Sequence, residues 1–176
     1  MKTKLEMSEE QQSEKPARKS WNEYFIDILH AAQKRATCDR GRSAALLVKD
    51  NHILSTGYVG SAAGVAHCSE VGHEFIDSYE KNDEGNIELR QHCVRTVHAE
   101  QNAICQAAKF GIAVQGATMY STMLPCYACA KMIVNVGIVH VVAEYNYQSA
   151  ERSRALFDEV GVEYTILHPD EAMTYK

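Results

Sequence analysis

The chain has 176 residues, 45% hydrophobic and 23% charged, with a formal net charge of −5. That length suits one well-packed domain and is short for two. The acidic balance argues against a nucleic-acid polyanion as the main partner, no apolar run approaches a membrane span, and the polar N-terminus does not read as a signal sequence. A cytoplasmic protein is therefore expected, and six cysteines fit its reducing environment better than a disulfide framework.

Residues 1–19 are rich in Lys, Glu, Gln and Ser and predict a flexible polar tail. A single domain is expected over 20–168, with a C-terminal tail over 169–176. Ser20 followed by Glu23 is a capping-box pattern, and Tyr24, Phe25, Ile28, Leu29 and Ala32 recur at helical spacing. This first helix should end near Ala36 and cover one sheet face. From Ser43 to Tyr58 two β-rich runs flank Lys49-Asp50-Asn51-His52 and predict a hairpin. Val59 to Val97 has little periodicity, several glycines and an acidic stretch from Glu80 to Glu84. A connection this long in a compact domain is functional or needs pinning.

After His98 the pattern becomes regular. A helix from His98 to Phe110 should stop at Gly111, with Cys105 assigned to the core. A strand over Ala117–Ser121 leads into a Thr122-Met123-Leu124 loop, and a helix begins at Pro125 and stops at Gly137. A strand from Ile138 to Val142, a helix from Ser149 to Val160 and a strand from Val162 to Leu167 complete the order. Alternating helices and strands predict an α/β sheet with both faces covered.

Two stretches carry chemistry: His98-Ala99-Glu100 and Pro125-Cys126-Tyr127-Ala128-Cys129. The three-residue step of Cys126 and Cys129 puts both sulfurs on one helical face near a helix N-terminus, where thiolates are favoured. Two thiolates and an imidazole fill three tetrahedral zinc positions and leave one for water. Glu100 stands off the face of His98, so it can take a proton from that water and pass it on. HxE followed by PCxxC is the signature of zinc-dependent base deaminases. The alternatives are a thioredoxin-like redox CxxC, which leaves HAE unexplained, and a closed structural zinc, which needs a fourth ligand and gives Glu100 no task.

HAEQNAI, PCYACAK, the hairpin ending GYVGSAAG and the following His67-Cys68 together resemble the deoxycytidylate deaminase family, including proteins encoded in bacterial competence operons. The resemblance runs from Ser20 to Leu167. It implies a cytidine-deaminase-like three-layer α/β/α sandwich with a central mixed sheet, and hydrolysis of dCMP to deoxyuridylate and ammonia. His98, Cys126 and Cys129 would hold zinc, and Glu100 would be the acid/base. The Ala99 backbone would hold the pyrimidine oxygen and the Leu124 carbonyl would receive the amino group. Tyr147 would wall the base, Asn102 belongs to the HAExNA pattern, and Arg40 or Arg42 would meet the phosphate.

One position departs from that pattern. Relatives commonly read Gly-Tyr-Asn-Gly, whose Asn is expected on the sugar hydroxyl, where this chain has Gly57-Tyr58-Val59-Gly60. Val59 offers no such bond. The usual Pro beyond is Ala62. Alternatives are therefore the same chemistry on dCTP, a free nucleoside or another base, or a nucleotide-sensing relative without turnover. By the same resemblance Cys38, Cys68, and His92 or Cys93 fall near a second, structural zinc of some phage-type relatives, with His67 and His73 as spare donors. It also implies a homo-oligomer, a hexamer in many relatives, with dCTP and dTTP as effectors.

Overall fold

Ala44–Lys49 (β1) is the strand on which the layers meet, because its side chains are buried on both faces. In the computed structural model, which describes residues 17–81 and 85–172, Ala44, Leu46 and Val48 pack under helix α1 (Trp21–Gln33) with Phe25 and Leu29. Ala45 and Leu47 join the larger core on the opposite face. The period of two thus sends alternate residues of one apolar run into two cores.

β2 (His52–Tyr58) returns antiparallel to β1 through Asp50 and Asn51, both with positive φ, the geometry that follows the right-handed twist of a tight hairpin. β3 (Gly60–Ser61), α2 (Cys68–Val71), β4 (Phe75–Lys81), β5 (Ile87–Cys93) and β6 (Thr96–Val97) then lead to α3 (Ala99–Lys109). β7 (Thr118–Met123), α4 (Tyr127–Asn135), β8 (His140–Asn146), α5 (Glu151–Val160) and β9 (Glu163–Ala172) follow. The sheet order is β2-β1-β7-β8-β9, antiparallel through β2, β1 and β7 and parallel through β7, β8 and β9. With α1 on one face and α3, α4 and α5 contributing to the core on the other, this is the expected α/β/α sandwich with a mixed sheet.

Several boundaries differ from the sequence reading. The Ser20–Glu23 capping box forms as expected, the Glu23 amide donating to Ser20 Oγ at 3.3 Å, but α1 ends at Gln33 rather than near Ala36. Thr122 and Met123 belong to β7, because Thr122 Oγ1 accepts the Ala44 amide at 3.0 Å and stays buried beside β1. Pro125 precedes α4 and Cys126 caps it. β9 continues to Ala172, paired with Asn146, into the segment expected to be a tail. Residues 1–16, 82–84 and 173–176, covering most of the expected N-terminal tail, half of the expected C-terminal tail and part of the acidic stretch, lie outside the described residues.

The expected long connection also holds regular structure. β4 and β5 pair antiparallel from Phe75↔Cys93 to Lys81↔Ile87, and β3 pairs with β6. Periodicity missed β4 and β5 because apolar residues such as Tyr79 and Ile87 are exposed. Cys105 is exposed rather than in the core: α3 buries Ala99, Ala103, Ile104 and Ala107, which turns Cys105 outward. Among the described residues no helix is long and apolar enough to cross a membrane.

Candidate metal and active site

α3 is seated by small residues and specific hydrogen bonds. A Cβ on Gly57 would lie 2.2 Å from the Ala99 carbonyl oxygen and 2.4 Å from the Ala103 nitrogen, so β2 touches the helix backbone directly. Ser55 Oγ donates to the Ala103 carbonyl at 2.8 Å, and Asn102 Nδ2 donates to the Tyr58 carbonyl at 2.8 Å. These contacts fix where α3 begins. Its cap is His98, whose amide donates to Gln101 Oε1 at 3.0 Å.

The partner segment is fixed from the sheet. The Leu124 amide donates to the Tyr145 carbonyl at 3.0 Å, which ties the end of β7 to β8 just before α4. Ligand sites in such sheets lie beyond the carboxyl ends of parallel strands. Here that position holds Cys126, the cap of α4, and Cys129 in its first turn.

His98 Nδ1 lies 3.5 Å from Cys126 Sγ and 3.4 Å from Cys129 Sγ. Zinc–nitrogen bonds of ~2.0–2.1 Å and zinc–sulfur bonds of ~2.3 Å at a tetrahedral angle put such donors ~3.5 Å apart. The donor set therefore fits zinc as it stands, in both spacing and chemistry. Glu100 is beside it rather than in it: the Cys129 thiol donates to Glu100 Oε2 at 3.7 Å.

Without a cation the cluster distributes protons unevenly. A hydrogen bond from Cys129, aided by His98, draws Cys126 down to about 4. The bond to Cys126 raises His98 to about 9 against the effect of burial. Cys129 is pushed up, first by its bond to Cys126 and then by burial. Burial also raises Glu100, against the pull of His98. A carboxyl held above its usual range is suited to move protons near neutrality.

Residues 19–145 match the cytidine and deoxycytidylate deaminase zinc-binding region. The chain belongs to this deaminase family. It is 38% identical over 152 residues to ComE operon protein 2 of Bacillus subtilis, covering 86% of this chain and 74% of that protein. To the deoxycytidylate deaminase of Mycobacterium phage D29 it is 37% identical over 126 residues, covering 72% of this chain and 95% of the other. A crystal structure of dCMP deaminase from cyanophage S-TIM5, in complex with dCMP and dUMP, shares the fold at a TM-score of 0.65 and 24% identity, covering 89% of this chain and 99% of that one.

In this deaminase-family chain a cavity of about 650 Å³ opens over the cluster. His98, Glu100 and Cys126 line it with four of the expected substrate contacts, Val59, Leu124, Tyr147 and Arg40, and with Cys38, His92 and Cys93 of the expected second-metal set. Ala99, Asn102 and Arg42 do not line it. Asn102 instead holds Tyr58, and the Arg42 carbonyl accepts from Gln33 Nε2 at 2.6 Å. Val59 is buried against Cys38 and Cys68 as well as facing the cavity, so an apolar side chain suits its packing. Tyr127 and Arg152, which the sequence reading passed over, also line the wall.

A second donor cluster lies beyond Val59. Cys38, Cys68 and His73 bring one ligand atom each within 4.8 Å of one another. Cys93 Sγ is 3.8 Å from Cys68 Sγ, and His73 Nε2 is 3.2 Å from Asp39. Burial and then Cys93 raise Cys68 to about 11. Burial also pushes Cys93 up, but hydrogen bonds from the Glu74 backbone and His73 outweigh it and leave its thiol below the usual value. The structure thus selects Cys93 over His92 as the neighbour of Cys68 and recruits His73. His92 pairs with Ile76 at the next register position, which turns it to the other face of the strand pair. His67 is outside the cluster too.

Proposed function

We propose that the chain deaminates deoxycytidylate hydrolytically to deoxyuridylate, with Glu100 as the proton carrier. The observation that carries this reading is that His98, Glu100 and Cys126 line one cavity, with Cys129 buried against His98 and Glu100. The 37% identity to a phage deoxycytidylate deaminase supports the choice of substrate.

Zinc bound by His98, Cys126 and Cys129 would supply Lewis-acid activation of a water. Glu100 takes the proton released as water attacks the amino-bearing ring carbon and gives it to the adjacent ring nitrogen. It then takes the remaining proton from the hydroxyl of the adduct and delivers it to the amine, which leaves as ammonia as the C–N bond breaks and the ring carbonyl forms, so one carboxyl serves as base and acid in turn. Tyr147 and Leu124 contribute apolar wall for the base, and Arg40 is a candidate phosphate contact.

Ammonia release from dCMP, dCTP, deoxycytidine and CMP tests the substrate. The expected result is the highest kcat/KM on dCMP, and no advantage of dCMP over deoxycytidine would contradict the reading. Preference for another base or sugar would mark Val59 as a changed specificity position.

We further propose a structural metal at Cys38, Cys68, Cys93 and His73, supported by three thiols and an imidazole gathered from separate segments. Control by dCTP and dTTP in a homo-oligomer, and residence in a reducing compartment, complete the proposal. The six free cysteines support the last. Activation by dCTP and inhibition by dTTP at fixed dCMP are the expected responses.

A further inference from the structure

Two guanidiniums face the cavity, Arg40 and Arg152. Arg152 enters from the first turn of α5, and its guanidinium carbon lies 4.2 Å from the centroid of the Tyr127 ring. Tyr127 directly follows Cys126, so the ring beneath Arg152 is one peptide link from a metal donor. Lys131 Nζ lies 5.1 Å from the same centroid, but Lys131 is not on the cavity wall. Arg40 is carried differently, 5.1 Å from the Phe75 ring on β4.

Among the described residues no carboxylate forms an ion pair with Arg152, although Glu151 lines the same cavity. Stacking on a ring fixes the plane of a guanidinium while leaving its edge N–H groups open, and it does not neutralise the charge. A cation so prepared suits a phosphate, whose oxygens accept a guanidinium fork two at a time.

We propose that Arg152, laid on Tyr127, reads the 5′-phosphate of the substrate, and that Tyr127 is its positioning residue. This inference rests on the nucleotide-deaminase reading above. It gives Tyr127 a task within the PCxxC segment and separates a nucleotide from a nucleoside by a residue outside the metal motif.

The test compares dCMP with deoxycytidine on the zinc-loaded wild type, Arg152→Ala, Arg152→Lys, Tyr127→Phe and Tyr127→Leu. Arg152→Ala should raise KM for dCMP on the order of 10- to 100-fold, as expected for loss of a charge-assisted contact, and lower the dCMP preference by the same factor. Arg152→Lys should recover part of that preference. Tyr127→Phe keeps the ring and should keep the preference, whereas Tyr127→Leu should lower it through KM.

Calorimetric binding of dUMP and deoxyuridine to the wild type and Arg152→Ala reads the same contact without turnover. Weakened dUMP binding in Arg152→Ala alongside a wild type that releases no ammonia would sustain the phosphate assignment and overturn the deaminase reading. Efficient dCMP turnover with an unchanged preference and unchanged dUMP affinity in Arg152→Ala would do the reverse. Equal losses on dCMP and deoxycytidine would also overturn the assignment, since they would mark a structural role.

Discussion

The two thiol–imidazole clusters use the same donor types on different foundations. His98, Cys126 and Cys129 stand at the starts of α3 and α4, one helix locked to β2 and the other tied to the end of β7. Cys38, Cys68, His73 and Cys93 come from loops, a one-turn helix and a strand pair outside the five-stranded sheet. An isolated pair of strands is marginal in water. The first cluster is therefore placed by the fold, whereas the proposed metal at the second would itself place part of the fold, clipping β4 and β5 against Cys38 and Cys68.

Breaking the first foundation should have the largest effect. Cys126→Ser removes one of three donors and should abolish both zinc retention at this cluster and dCMP deamination, read by metal analysis and ammonia release. Retention of both would show that the donor set is misassigned. Gly57→Ala attacks the same cluster from beneath, because its Cβ would meet α3 backbone. The overpacking should cost about 3 kcal/mol and lower Tm while displacing His98 and Glu100. A variant with wild-type Tm and rate would show that α3 has room to move.

The second foundation should fail locally. Cys68→Ser is expected to lose one equivalent of zinc and speed proteolysis within residues 75–93 while the first cluster keeps its metal. Zinc content unchanged by Cys68→Ser would remove the structural metal. The smallest effect is expected for Asn102→Ala, which takes away the bond to Tyr58. A loss of about 1 kcal/mol, read by denaturant unfolding, is the expected outcome.

The same contrast explains what the sequence made legible. His98, Glu100, Cys126 and Cys129 could be read because each pair lies within one helical turn and the cap positions are local. The hairpin of β1 and β2 followed from two β-rich runs flanking a polar turn. The donors of the second cluster join only through tertiary structure, so the family resemblance left His92 and Cys93 undecided and His73 as a spare. Cys105 was misplaced because α3 is seated through alanines against Gly57, a close fit that hydropathy does not reveal. Arg152 stacks on Tyr127 from another helix, so no local pattern pointed to it.

The central claim is that Glu100 moves protons over a metal held by the other three residues. The most direct measurement is ammonia release from dCMP by the zinc-loaded wild type and by Glu100→Gln, with zinc content determined for both. The account predicts an equal metal load and a rate on the order of 10³-fold lower in Glu100→Gln, within the range of general acid–base catalysis. A zinc-loaded Glu100→Gln that deaminates dCMP at the wild-type rate would contradict it.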